Sequence, residues 1–495
     1  MKSMNYPRKG KFIPFIILQY SGLLSLPDYY EYKWMNILHK HLYSAAIYAS
    51  VALVSLPLVL ESAIFYAIHD TTELLRRLFE AFGCFIFLTV SFVASFKVNI
   101  ILTLYHDVRE KILTKANPKI YEKYEKQANF YQRVTLTLCV SLLVSFIVET
   151  WSPMTTRNCE VYKNVYHLKP PYRKLPLTIR TPFLDSYPWP VYIFLYVSEM
   201  HLCFLCFASF YFVSGLQTTI ALPLTGQYEM LCEFIRLIGR EHRDVNGERV
   251  FYTDIANGNF LYRTETELFG KHRLQRMTQS NRREKYKIYE KYFVRGIIIR
   301  HQKLISCKQR YQDLMSSLFD NLMLVPVFAM VVIAFYQMFF LRDQLFTVEG
   351  VKILIEFLIM VVVESQFVEV SEKMDDCHQA IVTTISESNW YLCAPEVRRD
   401  LCLVIRRCQQ PNHLTFLSGL LVMNHSLIVY WLRFSFSFIN FMKVTEVQAV
   451  ILSKDSQALL PSPTSRLHVR RIDQLSHRGR RKGFGFPDEV SSYFS

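Results

Sequence analysis

Seven stretches of this chain are free of Asp, Glu, Lys and Arg, or nearly so, over about the 20 residues that a helix needs to cross a bilayer. Lys40 to Glu61 encloses the first, and Glu80 to Lys97 encloses the second, which continues to about Leu104. Arg133 to Glu149 encloses the third. The fourth runs from Trp189 to Gln217 and carries Glu199. Asp320 to Arg342 encloses the fifth, whose helix is expected to start earlier, near Ile297. The seventh lies between Arg407 and Arg433 and continues to about Met442. In hydrocarbon every backbone polar group must pair within the chain, so runs of this length are helices. The expected fold is an all-α, seven-span transmembrane helical bundle. Composition agrees, with 51% hydrophobic and 20% charged residues, which argues against a soluble enzyme.

The sixth stretch, Gly350–Val370, is the weakest, because it carries Lys352, Glu356, Glu364 and Glu369. Lys352 and Glu356 stand at i,i+4 and are expected to pair. An intramembrane carboxylate is costly, so Glu364 either faces a cavity or the bundle interior, or the helix overruns the membrane and leaves it in water. The spacing leaves both open.

Basic residues orient the bundle. The N-terminal arm and the loops two–three, four–five and six–seven hold 6, 8, 18 and 5 Lys and Arg, 37 in all, against 2, 6 and 2, or 10, in the loops of the other side. The positive-inside rule therefore puts the N-terminus in the cytoplasm and the last span's far end outside, the inverse of a G-protein-coupled receptor. The resulting organisation is an arm over 1–40, spans one to four over 41–217, a cytoplasmic loop over 218–296, helix five and span six over 297–372, an anchor region over 373–411, span seven over 412–443 and a tail over 444–495. Lys2, Arg8, Lys9 and Lys11 before Phe12–Leu26 imitate a signal peptide. Pro14, Gln19 and Tyr20 interrupt that run, which is expected to be a short helix near the inner membrane face.

The outer loop Ser152–Pro188 is proline-rich and reads as a turn-ordered lid over an outward-facing pocket. Arg273–Arg295 is basic with little apolar content, and reads as solvated or lipid-facing rather than nucleic-acid-binding. Before the last span, Pro395 suits a helix start. Val397, Leu401, Val404, Ile405 and Cys408 then form a stripe at i, i+4, i+7, i+8 and i+11. Pro411 ends that helix, and Asn412 or Thr415 is placed to cap the next. The stripe serves either assembly with other subunits or packing on its own chain; periodicity alone favours the second. Pro461-Ser462-Pro463, Arg470-Arg471 and Arg478–Lys482 give the tail a disordered composition.

No phosphate-binding, dinucleotide, zinc-protease, serine-hydrolase or zinc-finger pattern occurs in usable context. No enzyme activity, metal ligand or cofactor is expected. Cys203 and Cys206 form a CxxC inside an apolar helix, where packing is the simpler role. Asn424-His425-Ser426 is a glycosylation sequon, but it falls within the seventh stretch. His425 and Arg433 there either line water or face a partner helix.

Several segments together resemble the insect odorant receptor family over about Leu18–Met442. They are Ser21-Gly22-Leu23 through Pro27, Thr225-Gly226-Gln227-Tyr228 with Glu229–Cys232, and Arg300-His301-Gln302-Lys303-Leu304. Most specific is Ser388-Asn389-Trp390-Tyr391, then Arg398-Arg399-Asp400-Leu401, then Arg407-Cys408-Gln409-Gln410-Pro411. Ser435-Phe436-Ser437-Phe438 follows where the family commonly has a Ser-Tyr-Ser-Tyr-like run. The tail and the four–five loop around Arg263–Tyr286 are longer than the family's.

The resemblance implies an odorant-gated, non-selective cation channel in the plasma membrane of olfactory sensory neurons. Its implied partners are a co-receptor subunit in a heterotetramer, a small volatile odorant and the lipid membrane, with no nucleic acid. Spans two, three, four and six would enclose the odorant pocket; Phe92, Phe146, Trp151, Tyr196, Met200 and Met360 are candidate lining residues, with helix packing as the competing role of each. The anchor region would join subunits through Trp390, Tyr391, Val397, Leu401, Val404 and Ile405. Ile439, Met442 and Phe436 would fall at the pore and its hydrophobic constriction. A gustatory receptor of the same architecture would show a Thr-Tyr…Gln-Phe pattern in span seven, and it is missing. A transporter would show two matching halves, and none are visible.

Overall fold

The computed structural model of the chain describes residues 17, 32–67, 71–109, 118–153, 159–160, 163, 174–177, 188–257, 261–270, 278–319, 324–340 and 347–458. Most of the helix expected over Phe12–Leu26, most of the outer loop and the tail beyond Ala458 lie outside them. The chain divides into two units, residues 1–435 and 436–495.

The first unit is a helical bundle. Helix α1 (Lys33–Ile37) passes through a π-helical turn, Leu38–Tyr43, into α2 (Ser44–Ala67). Helices α3 (Thr71–Arg109), α4 (Pro118–Trp151) and α5 (Trp189–Leu216) follow. Pro118 and Pro190 sit in first turns, where no intrahelical N–H partner is lost. A second π-helical turn, Gln217–Ala221, carries α5 into α6 (Leu222–Ile235), so the fourth apolar rod runs unbroken from Trp189 to Ile235. It outlasts the expected span because Ile220, Leu222, Leu224 and Leu231 are buried in the core.

Helix five is described in two stretches, with residues 320–323 between them outside the described ones. A long α8 (Gln279–Phe319) precedes the apolar α9 (Leu324–Phe340). Its start at Gln279 lies well before the expected Ile297. The basic segment there has an aromatic inner face that its net charge conceals. The Tyr289 hydroxyl is 3.0 Å from His242 Nδ1 and accepts from the Tyr252 N–H at 2.9 Å, and Phe293 is buried. The strands β1 (Val250–Tyr252) and β2 (Tyr262–Thr264) pair as a short antiparallel ribbon, followed by α7 (Glu265–Phe269) with a capping box at Thr264 and Glu267. Helix α10 (Val348–Glu387) begins at Thr347, whose hydroxyl accepts from the Gly350 N–H at 3.2 Å.

Helix α11 (Pro395–Cys408) has Pro395 in its first turn, Glu396 beside it, and Arg406 and Arg407 in its last turn, charges that suit the helix dipole. It does not feed straight into the last span. An antiparallel pair, β3 (Thr415–Phe416) with β4 (Leu421–Val422), intervenes before α12 (His425–Ala458). The cap of α12 is Asn424, whose side-chain oxygen accepts from the Leu427 N–H at 3.0 Å. Asn412 instead binds back to α10, through Asp375 and the Met374 carbonyl. The second unit contains the rest of α12, which continues as helix into the segment that composition reads as disordered.

Helices α2, α3, α4, the α5–α6 rod and the His425–Val444 part of α12 are long and apolar enough to cross a membrane. Pro326–Phe339 of α9 is a shorter apolar helix, and α10 contributes the charged sixth stretch. Five of the seven stretches read from the sequence thus have the length and composition of a crossing, and the fifth and sixth fall on α9 and α10.

Segments that the resemblance singled out meet at the basic end of the bundle. The buried Arg300 guanidinium donates to Gln227 and, at 3.3 Å, to the Asn257 carbonyl. Gly239 stands at φ +71°, and a Cβ there would lie 2.2 Å from the Asn389 carbonyl oxygen. Only glycine meets both demands.

Candidate functional site

At the opposite end, α3, α4, α5, α9 and α10 enclose a cavity of about 80 Å³. On the same measure one water needs only about 10–15 Å³. Its wall is apolar and sulfur-rich: Cys84 from α3, Leu142 and Phe146 from α4, Cys203, Cys206, Phe207 and Phe210 from α5, Met330 from α9, and Ile359 and Met360 from α10. Glu80, Glu356 and Leu177, the last from the loop between α4 and α5, also line it.

Two buried charges grip the Leu177 peptide. Glu199 accepts from its N–H at 2.8 Å, and the Arg77 guanidinium donates to its carbonyl. Both side chains are almost wholly buried. Charge-assisted bonds of this kind are worth about 1.5–3 kcal/mol each. Tyr192 donates to the Lys174 carbonyl at 2.9 Å, and Lys174 reaches Ser152 at 3.3 Å. Of the proline-rich loop read as a lid, residues 174–177 are described and are held in this way; most of the rest lies outside the described residues.

The clamp belongs to a charge network. Arg77 lies 2.7 Å from Glu80, 3.7 Å from Glu61 and 3.8 Å from Glu73. Arg76 pairs with Glu149 at 2.9 Å and with Glu349 at 2.8 Å. Lys352 pairs with Glu149 at 2.9 Å, not with the expected Glu356. The cross-helix partner wins because it is buried and also bound by Arg76, whereas a lone i,i+4 pair contributes only about 0.2–0.5 kcal/mol. Buried charges persist only with such partners. The Lys352 ammonium also sits 4.0 Å from the centre of the Phe146 ring, and that ring meets Phe207 at 6.1 Å. Phe146 is therefore fixed as one wall.

Of the expected lining residues, Phe146 and Met360 reach this cavity. Tyr196 is half-buried and shares a hydrogen bond with Thr150 at 3.2 Å. Met200 packs against the core without lining the cavity. Phe92 and Trp151 are 57% and 82% exposed on outward faces and do not line it. These helices are apolar all round, so sequence does not separate a lipid-facing aromatic from an inward one. Glu199 was the legible hint, as an acid in an otherwise uncharged span; its loop partner was not.

Two further spaces adjoin. One of about 30 Å³ lies among Ile86, Val90, Val213, Val327, Phe210 and Met360. The other, of about 340 Å³, lies between α9, α10 and the start of α12, lined by Phe335, Phe357, Met360, Glu364 and Trp431. Met360 borders all three. Glu364 borders the second and third, the cavity-facing alternative of its two readings.

On α11 the stripe is turned inward. Val397, Leu401, Val404 and Cys408 are buried against α8 and α10, and Ile405 and Trp390 are half-buried. The large apolar side chains that the helix and its approach leave exposed are Tyr391, Leu392 and Leu403. Val397, Leu401 and Val404 therefore pack on their own chain, the alternative that periodicity favoured, because α8 and α10 supply the apolar surface they need. His425 is tied to α10, its ring 2.9 Å from Glu372 and its N–H donating to the same carboxylate at 2.9 Å. Burial pushes the Glu372 carboxyl up, but the bonds from His425 and His413 outweigh it and hold it below the usual carboxylate range. In the second unit Ile439 is buried, Met442 half-buried and Phe436 exposed.

The family model described as 7tm odorant receptor matches residues 70–436. No curated protein matches the sequence. Among solved structures, the insect olfactory receptor OR5 from Machilis hrabei in complex with eugenol is similar in fold, with a TM-score of 0.60 at 12% identity over 87% of this chain and 97% of that one. A second structure of that receptor gives a TM-score of 0.55 at 12% identity, over 87% of this chain and 96% of that one.

Proposed function

The chain belongs to the 7tm odorant receptor family, and from that premise we propose that it is an odorant receptor subunit whose ligand opens a non-selective cation channel. The observation that carries the reading is the lidded cavity between α3, α4, α5, α9 and α10, with Met360 shared between its wall and the space beside α12. An apolar cavity of this kind selects by shape and dispersion, so its ligands are small, neutral and volatile. The Machilis receptor's complex with eugenol makes a neutral aromatic volatile the first probe. A ligand that fits the open arrangement better than the closed one shifts the population toward it.

The pore is walled by the far half of the last span, with Ile439, Met442 and Phe436 at a constriction that blocks ions by dewetting. The N-terminus is cytoplasmic, as the 37-to-10 basic bias requires. The subunit works in a heterotetramer with a co-receptor in the plasma membrane of olfactory sensory neurons. With the α11 stripe committed to its own chain, Tyr391, Leu392 and Leu403 form the anchor surface open to a neighbour.

The test is co-expression with a co-receptor and whole-cell recording during a panel of neutral volatiles that includes eugenol. Odorant-evoked cation current is expected. Silence despite verified surface delivery would refute the assignment. Ile439→Ala is expected to change basal current or ion permeation more than odorant ranking, and a changed ranking with unchanged permeation would remove Ile439 from the gate.

A further inference from the structure

At the basic end of the bundle, three metal-binding side chains converge from three helices. His301 comes from α8, His378 from α10 and Cys408 from the last turn of α11; all are buried, and their ligand atoms lie within 4.8 Å of one another. His301 Nε2 is already 3.6 Å from Cys408 Sγ. In a tetrahedral zinc site, with Zn–N of about 2.0–2.1 Å and Zn–S of about 2.3 Å, neighbouring N and S ligands stand about 3.6 Å apart. One edge of such a site is therefore in place.

A second observation points the same way. His378 is 1% exposed, its Nδ1 faces the Gln410 carbonyl at 3.4 Å, and its Nε2 is buried with no hydrogen-bond partner. Buried polar atoms are almost always satisfied. A ring held by a carbonyl at Nδ1 with Nε2 open is the arrangement of a metal-binding histidine. Tyr228, wholly buried with a hydroxyl that also lacks a partner, sets its ring edge-on to both imidazoles, at 6.4 and 6.0 Å between centroids.

We propose that His301, His378 and Cys408 bind a divalent transition metal, zinc foremost, which pins α11 to α8 and α10. Two imidazoles and one thiolate suit zinc rather than calcium or magnesium. Three protein donors leave one position of a tetrahedral site open. Burial, aided by His378 and Arg407, disfavours the charged form of the His301 imidazole. Burial lifts the Cys408 thiol to about 12; the ion takes the thiolate, and one proton leaves to solvent for each metal bound. Arg407 and Lys308 oppose a cation here and Asp375 favours it. Sequence spacing conceals the site, since the three donors lie on separate helices far apart in the chain.

The test uses the full-length chain, purified in detergent without a polyhistidine tag and titrated with Co²⁺ alone. One equivalent is expected to give the visible bands of tetrahedral cobalt and a thiolate-to-metal charge-transfer band, both bleached by one equivalent of Zn²⁺. Cys408→Ser should abolish the charge-transfer band, and His378→Gln should weaken binding by well over about 100-fold, beyond the range for an outer-shell partner. Cys402→Ser, which removes an exposed thiol on the same helix, should change nothing. A band that survives Cys408→Ser, one that follows Cys402, or no stoichiometric binding overturns the proposal. Should the variants fail to fold, zinc X-ray absorption on the unaltered chain decides. One sulfur and two imidazoles are expected; a shell without sulfur, or with two or more, overturns the site.

Discussion

Glu199 is the most direct handle on the lid. It supplies the buried carboxylate that accepts from the Leu177 N–H at 2.8 Å, while Arg77 holds the other side of the same residue. Glu199→Gln keeps an acceptor of nearly the same shape and removes the charge. A charged hydrogen bond of about 1.5–3 kcal/mol becomes a neutral one of about 0.5–1.5 kcal/mol, a loss of about 1 kcal/mol. Glu199→Ala removes the acceptor and leaves a buried N–H unsatisfied, costing about 1–3 kcal/mol. If ligand is retained only under the clamped lid, these losses pass into apparent affinity. The half-maximal odorant concentration should rise about 5-fold for Glu199→Gln and about 5- to 150-fold for Glu199→Ala. The assay is a concentration–response series of odorant-evoked current in cells with matched surface levels of each variant. Because the lid controls escape, the current should also decay faster after washout. Superimposable curves for all three chains would refute the clamp as a retaining element.

Phe146→Leu should change the half-maximal concentration for at least one odorant by about 5- to 150-fold, the worth of about 1–3 kcal/mol of lost pocket contact, while Phe92→Leu on the exposed face should leave every curve within about twofold. Gly239→Ala should abolish monodisperse expression, seen by fluorescence-detected gel filtration, because its Cβ meets the Asn389 carbonyl; Gly270→Ala, at the same φ of +71° with nothing within 4 Å, should cost only about 1–2 kcal/mol. The Glu372 carboxyl is held below its ordinary value of 4.5, so the stability it lends is complete above that value and lost as pH falls through the lower folded one. Hydrogen exchange at the His425 amide, corrected for intrinsic rate, should therefore stay protected from neutral pH to about 4.5 and open only below it; release between pH 7 and 6 would contradict the tether.

The spans were legible because bilayer thickness fixes the length of an uncharged run, and Lys40–Glu61 meets that length, as Arg133–Glu149 nearly does, with charges as end-markers. Helix α11 was legible for another reason: Pro395 starts it, and its single apolar stripe marks the face that the bundle buries. Tertiary choice was not. Lys352 had a local partner in Glu356 and took a distant one in Glu149. Asn412 and Thr415 were each suited to cap the last helix, yet the β3–β4 hairpin moved that duty to Asn424. Phe146, which lines the cavity, and Phe92, which does not, are the same residue type on similar apolar helices, and only packing separates them. The Leu177 clamp escaped because a backbone peptide has no sequence signature.

Met360 stands where three spaces meet, and its chemistry matters to all of them. An unbranched thioether turns about three bonds and fills irregular gaps with little strain. A partition made of it is pliable: molecules of different girth can be seated by swinging one side chain, with no helix displaced. A branched residue there would fix the partition, trading breadth of acceptance for sharpness. Under the function proposed for the cavity, exchanging Met360 for a branched residue should narrow the range of ligands accepted.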